Sequence, residues 1–392
     1  MKLRIPYSRQ LLCSIILPLI ALVSFLPSPT EAAAPGKYLL YVSTFTEHGS
    51  KAIYAYRLDS SSGKLTSLGL AAESVNPSFL TVDSRGRFLY ATNETDTYND
   101  HPTGAVSAFA IQPESGRLSL LNQLSSHDQG PTHITLDRTE AYALVSNYTL
   151  GSLAVFPVQK DGRLGEATSF VQHKGSSVNP ERQEGPHIHS VTLSPDDRFA
   201  VVADLGIDQL LVYRFDAAKG TLGASPQIVR ASPGAGPRHS VFSSNGHFLY
   251  VINELQSTVV AYSYDTATGA LHELQAISTL SKGFAGTSTA AEIDLHPSGR
   301  FLYASNRGDD SIAVFAIDSH AGTLMQVETD PAGGKTPRSF AIDPTGTWLL
   351  AANQASNNIV VFRIDGKTGQ LAPTGDVVQV PSPACLKFVT LQ

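Results

Sequence analysis

Two histidines two residues apart, His187 and His189, begin a series of ionisable side chains that continues as Asp204, Arg238-His239, Glu254, Glu292, Arg307 and Arg338, with His133 upstream. Imidazole takes or gives a proton near neutral pH, and a carboxylate can act as general base. Guanidinium holds a carboxylate or phosphate through paired N–H groups. These are the parts needed to bind a small anion, activate a water against an ester-like carbonyl and stabilise the oxyanion that forms. Within the set, His187, His189, Asp204 and Glu254 could instead ligate a divalent ion, because imidazole and carboxylate are both suitable donors. Other chemistries lack their motifs. There is no Gly-x-Ser-x-Gly elbow for a serine triad. Gly234-Ala235-Gly236 lacks the third glycine and the helix of a dinucleotide site.

These residues are far apart in the chain, so a fold must gather them, and the sequence repeats in a way that can. The tripeptide Gly-x-Leu begins at Gly63, Gly116, Gly162, Gly220, Gly269, Gly322 and Gly369, a period of about 50 residues. A proline opens most units (Pro77, Pro131, Pro186, Pro237, Pro337, Pro383), and an aromatic starts a second strand, as at Phe88, Phe248, Phe301 and Trp348. Between them lie hairpin turns such as Asp83-Ser84-Arg85-Gly86. The second strand ends in Asn or Asp (Asn93, Asn147, Asp204, Asn253, Asn306, Asn353), and a third, alternating strand leads to the Gly-x-Leu turn.

This pattern predicts an all-β, seven-bladed β-propeller over residues 36–392, with one four-stranded blade per repeat. Only six units are complete. The strands at Tyr38–Tyr41 and Ile53–Leu58 lack an opening strand, and Pro383–Phe388 is one too many, so the ends are expected to share the seventh blade. That closure removes exposed sheet edges. Aligning the opening strands places Thr132/His133, His189/Ser190, Arg238/His239, Ala291/Glu292, Arg338/Ser339 and Ala384/Cys385 at two successive positions. Successive strand residues face opposite sides, so not all of them are expected to point inward. Glu254 and Arg307 follow the second-strand Asn in their units. Glu254 or His189 can serve as the base; Glu292 could equally be one, or an ion-pair partner for Arg307 or Arg338.

Composition sets the compartment and excludes some partners. Lys2, Arg4 and Arg9, the apolar stretch Leu11–Leu26 and Ala32-Ala33-Ala34 follow the order of a secretory signal peptide, predicted over residues 1–34. Cleavage would leave an exported, periplasmic or secreted domain with no membrane attachment. Cys13 would go with the signal, leaving Cys385 as a small buried hydrophobe with no disulfide to make. A formal charge of −6 argues against a nucleic-acid surface. Nothing in the sequence calls for an obligate oligomer, so a monomer is expected.

Pro186-His187-Ile188-His189-Ser190, Ala203-Asp204-Leu205-Gly206, Gly236-Pro237-Arg238-His239, Asn253-Glu254-Leu255 and Ser305-Asn306-Arg307-Gly308 resemble the bacterial lactonase family of seven-bladed propellers. That family includes propeller-type 6-phosphogluconolactonases and is related to fungal carboxy-muconate cyclase. The resemblance implies hydrolysis of a small anionic sugar or carboxylate lactone, or the reverse lactonisation, without a required cofactor. It also implies His189, Arg238, Glu254 and Arg307 as catalytic residues. His187, His239, Glu292, Arg338, Asp204 and His133 are expected to bind substrate around them. A non-catalytic propeller that binds a ligand or protein at its mouth is the alternative. The two differ in whether the four catalytic candidates converge in one pocket.

Overall fold

The computed structural model describes residues 1–4, 37–46 and 49–390. The expected signal peptide therefore falls, apart from its first four residues, outside the described residues. Among the described residues no helix is long and apolar enough to cross a membrane.

Seven antiparallel sheets follow one another along residues 37–390. Blade 1 consists of strands Phe79–Val82, Phe88–Asn93, Ala105–Ile111 and Leu118–Ser125. Blades 2 to 6 open with Pro131–Leu136, Ile188–Leu193, Pro237–Phe242, Thr289–Leu295 and Pro337–Ile342, and each then adds strands outward in chain order. Blade 3 carries one extra short strand, Thr221–Leu222, so its sheet has five. In blade 7, Pro383–Thr390 is the innermost strand and pairs antiparallel with Lys37–Thr44, Tyr38 opposite Thr390. The opening strands touch their neighbours in sequence around the ring, and Pro383–Thr390 closes it against Phe79–Val82. The predicted seven-bladed propeller with a shared closing blade is the fold observed.

The two most regular sequence signals meet across blade boundaries. In each Gly-x-Leu turn the glycine has positive φ, for example +73° at Gly322. A Cβ at Gly322 would run into the Phe248 ring of the preceding blade, and one at Gly162 into Phe88. The turn glycine and the aromatic at the start of the second strand are thus one contact: the ring of one blade fills the space left bare by the next. Apolar side chains from adjacent sheets make up the rest of the core, such as Tyr250, Ile252 and Phe315 between blades 4 and 5.

The second-strand Asn fixes the chain at the mouth. Asn147 Nδ2 donates to Ser126 O (3.0 Å), Asn306 Nδ2 to Thr279 O (2.7 Å) and Asn353 Nδ2 to Ala332 O (3.0 Å), each tying a strand end to the segment entering its blade. The residue after each Asn is therefore held at the rim of the central opening.

Candidate active site

Five opening strands share an irregularity that builds the site. Their pairing with the second strand skips Thr132, His189, Arg238, Ala291-Glu292 and Arg338. A β-bulge of this kind leaves a residue unpaired and re-aims its side chain. The strict alternation expected for these strands is thereby broken, and both successive positions face the hub, at two depths. Thr132, His189 and Arg338 line a cleft of about 170 Å³ at the mouth, together with Glu94, Tyr148, Arg182, Glu254 and Arg307. The following residues, His133, His239, Glu292 and Ser339, line a separate cavity of about 260 Å³ in the tunnel.

Glu254 is the centre of the cleft. Its Oε2 receives Arg238 Nε (3.0 Å) and Arg307 Nη2 (2.8 Å), and its Oε1 receives Arg182 Nη2 (2.6 Å). His189 Nε2 lies 3.9 Å from Oε2. The four catalytic candidates therefore converge on one carboxylate. Burial alone would raise the Glu254 pKa, but Arg307, Arg238 and Arg182 overcome it and hold it down to about 2. Glu254 is thus ionised at neutral pH and a weak base. Its geometry suits a different task, aligning three guanidiniums that would otherwise repel one another.

Arg238 does not line the cleft. It is buried behind Glu254, where Nη1 also donates to Ala291 O and contacts the His239 ring. Burial, with Arg307 adding to it, lowers its pKa to about 9. The guanidiniums that line the cleft are those of Arg307, Arg338 and Arg182. The cleft and its floor gather four guanidiniums against the two carboxylates Glu254 and Glu94, a local excess of positive charge.

His189 stands edge-on to Tyr148 (ring centroids 5.6 Å) and His239 (5.0 Å), and its Nδ1 is buried without a protein partner. Burial first, then the Arg238 charge, pushes its pKa well below the usual histidine range, so the ring is neutral.

The other expected binding residues divide. Arg338 is in the cleft, with Nη2 3.8 Å from Glu94 Oε2 and its guanidinium over the Phe45 ring. In the tunnel, His239 Nδ1 donates to Glu292 Oε1 (2.8 Å), and Ser339 Oγ reaches Glu292 Oε2 (3.4 Å). Glu292 is thus the partner of His239 and Ser339, not of Arg307 or Arg338. His133 sits between Phe79 and His239.

Asp204 and His187 serve the scaffold. The Asp204 carboxylate is buried and receives His173 Nδ1 (2.7 Å) and the His187 and Gly206 backbone N–H groups (2.8 and 3.0 Å). The His187 ring stacks on Tyr148 (4.6 Å), and its Nδ1 lies 2.9 Å from Tyr148 O. With Asp204 so engaged, the divalent-ion set suggested by the sequence does not assemble. Among the described residues no three His, Cys, Asp or Glu side chains come together as ligands.

Three cleft residues were not anticipated. Glu94 and Tyr148 follow Asn93 and Asn147, the same place that marked Glu254 and Arg307, so extending that rule to blades 1 and 2 finds them. Arg182 lies in the 173–187 connection between blades 2 and 3, outside the repeat, and carries no periodic signal. That connection is tied down by Asp204 at His173 and His187 and by Gln183, whose Nε2 donates to Leu205 O (2.8 Å).

The chain matches the family described as "Lactonase, 7-bladed beta-propeller" over residues 39–388. It belongs to that family. Among curated relatives, a 6-phosphogluconolactonase of Bacillus subtilis is 36% identical over 90% of this chain and 99% of that protein. A 6-phosphogluconolactonase of Formosa agariphila is 35% identical over 76% of this chain and 84% of its own. Among solved structures, the periplasmic gluconolactonase of Pseudomonas aeruginosa superposes with a TM-score of 0.86 at 37% identity, covering 91% of this chain and all of that one.

Proposed function

We propose that this chain is an exported lactone hydrolase acting on a small anionic sugar or carboxylate lactone. The observation that carries this reading is the convergence of Arg182, Arg238 and Arg307 on Glu254, with Arg338 beside them, in a cleft too small for a drug-sized ligand. Membership of the lactonase family and the relatives' names support the reaction class. The predicted signal peptide and the periplasmic neighbour support export.

The chemistry follows from the charges. In ring opening, water attacks the lactone carbonyl and negative charge grows on its oxygen. Guanidiniums already fixed by Glu254 stabilise that charge without reorganising, an effect worth about 3 kcal/mol per donor in comparable sites. Arg338 and Arg182, at the outer side of the cleft, suit the carboxylate or phosphate of the substrate. His189, being neutral, acts as a hydrogen-bond partner rather than a further cation.

A pH-indicator assay of the mature protein against phosphorylated, carboxylated and uncharged lactones, with and without chelator, tests this. Hydrolysis above the spontaneous rate, strongest for an anionic lactone and unaffected by chelator, is expected. A protein silent across the panel that still binds the open-chain acids would make it a binding propeller instead.

A further inference from the structure

The hydrolase reading needs a group that takes a proton from water, and Glu254 and His189 are poorly suited. Glu254 is ionised but has both oxygens engaged by guanidiniums. Protonating His189 would put another positive charge among Arg238, Arg307 and Arg338.

A second carboxylate faces the same cleft. Glu94 follows the second strand of blade 1, three blades round the ring from Glu254. Its backbone is held on both sides: its N–H donates to Asn76 O (2.9 Å), and its C=O accepts from Asn76 Nδ2 (3.4 Å). The side chain, by contrast, is barely engaged. Oε2 is buried yet accepts no hydrogen bond among the described residues, and its ion-pair partner Arg338 Nη2 stands at 3.8 Å, beyond hydrogen-bonding distance. A buried acceptor without a donor is destabilising and calls for an explanation. The side chain as a whole is 28% exposed and lines the cleft, so a water there can reach the carboxylate.

We propose that Glu94 is the general base of this site, a step that rests on the hydrolase reading. A water O–H bond breaks, its proton passes to the Glu94 carboxylate, and the water oxygen bonds to the carbonyl carbon to give a tetrahedral oxyanion facing the guanidiniums. On collapse the ring C–O bond breaks, and the departing alkoxide recovers the proton from Glu94. The open hydroxy acid then ionises to solvent, leaving Glu94 a carboxylate again. The two carboxylates so divide the work: Glu254, saturated with cations, fixes the electrostatic field, and Glu94, with a free oxygen, moves the proton.

The test is the pH dependence of kcat for wild type, Glu94→Gln and Glu94→Asp, with folding checked by circular dichroism. The groups that face Glu94 across the cleft are Arg338, Arg307, Arg182, Glu254, His189 and Tyr148, and all remain in these variants. Glu94→Gln is expected to lose about 10²–10⁴-fold in kcat, with KM within a few-fold, and to lose the acid limb of the profile. Glu94→Asp should keep that limb at reduced kcat. Wild-type kcat in Glu94→Gln would overturn the proposal, and so would raised KM with the acid limb intact, which is what a residue that only positions Arg338 would give. An inactive wild type would instead overturn the hydrolase reading, and the proposal with it.

Discussion

Replacing Glu254 by Gln removes one negative charge from beneath three guanidiniums while keeping the size of the side chain. The consequence can be worked from its pKa. A fall from 4.5 to about 2 corresponds to about 3 kcal/mol of native-state stabilisation. Because the folded value is depressed, that stability is fully present above pH 4.5 and drains away as pH falls toward 2. Protonated Glu and Gln are nearly the same shape, so wild type and Glu254→Gln should converge in acid. Urea unfolding of the mature protein is expected to show a gap of about 3 kcal/mol at pH 7, unchanged down to about pH 5 and narrowing at pH 3. Activity should fall at every pH, since the guanidiniums lose their alignment. A gap that stays constant between pH 7 and pH 3, or no gap at all, would refute the claim that Glu254 is held ionised by Arg238, Arg307 and Arg182.

Other consequences are as specific. Arg182→Gln, at the half-exposed outer edge of the cleft, should raise KM for an anionic lactone about tenfold and leave kcat within a few-fold. Half-molar salt should narrow that difference, and an equal rise for an uncharged lactone would count against a role in anion recognition. Gly322→Ala forces a side chain onto positive φ and into the Phe248 ring, so chemical denaturation should show a loss of about 1–3 kcal/mol with kcat retained. Burial pushes the Cys385 thiol up to about 11, so in the native mature chain it should resist thiol reagents at pH 8 and react only in denaturant. Rapid stoichiometric labelling of folded protein would show that the innermost strand of blade 7 opens.

The sequence carried the architecture because each blade repeats one physical solution. In six of the seven Gly-x-Leu turns a bare glycine receives a neighbouring aromatic, and an Asn, or Asp204 in blade 3, stands at the end of the second strand in blades 1 to 6, so both recur at the blade period and can be counted. The grouping around Glu254 was legible for the same reason, since His189 and Arg238 hold equivalent places on the opening strands of blades 3 and 4, and Glu254 and Arg307 equivalent places after the second strands of blades 4 and 5. Depth was not legible. The bulges at His189 and Arg238 depend on how opening and second strands pair, and no residue pattern announced them, so nothing in the sequence told that Arg238 lies behind Glu254 while His189 lines the cleft. Asp204 was misleading because a buried carboxylate that ties a connection to its blade looks, in sequence, like one that binds a ligand. Arg182 was invisible because it comes from a connection that no other blade possesses.

The proposed function requires the mouth of the ring to present guanidiniums from several blades to one small anion. Calorimetric titration of the mature protein with the hydroxy-acid anion formed by lactone opening tests this most directly, comparing wild type with an Arg307→Ala, Arg338→Ala double variant. Saturable one-to-one binding that weakens with salt and disappears in the double variant is the predicted result. Binding that survives the loss of both arginines would contradict it.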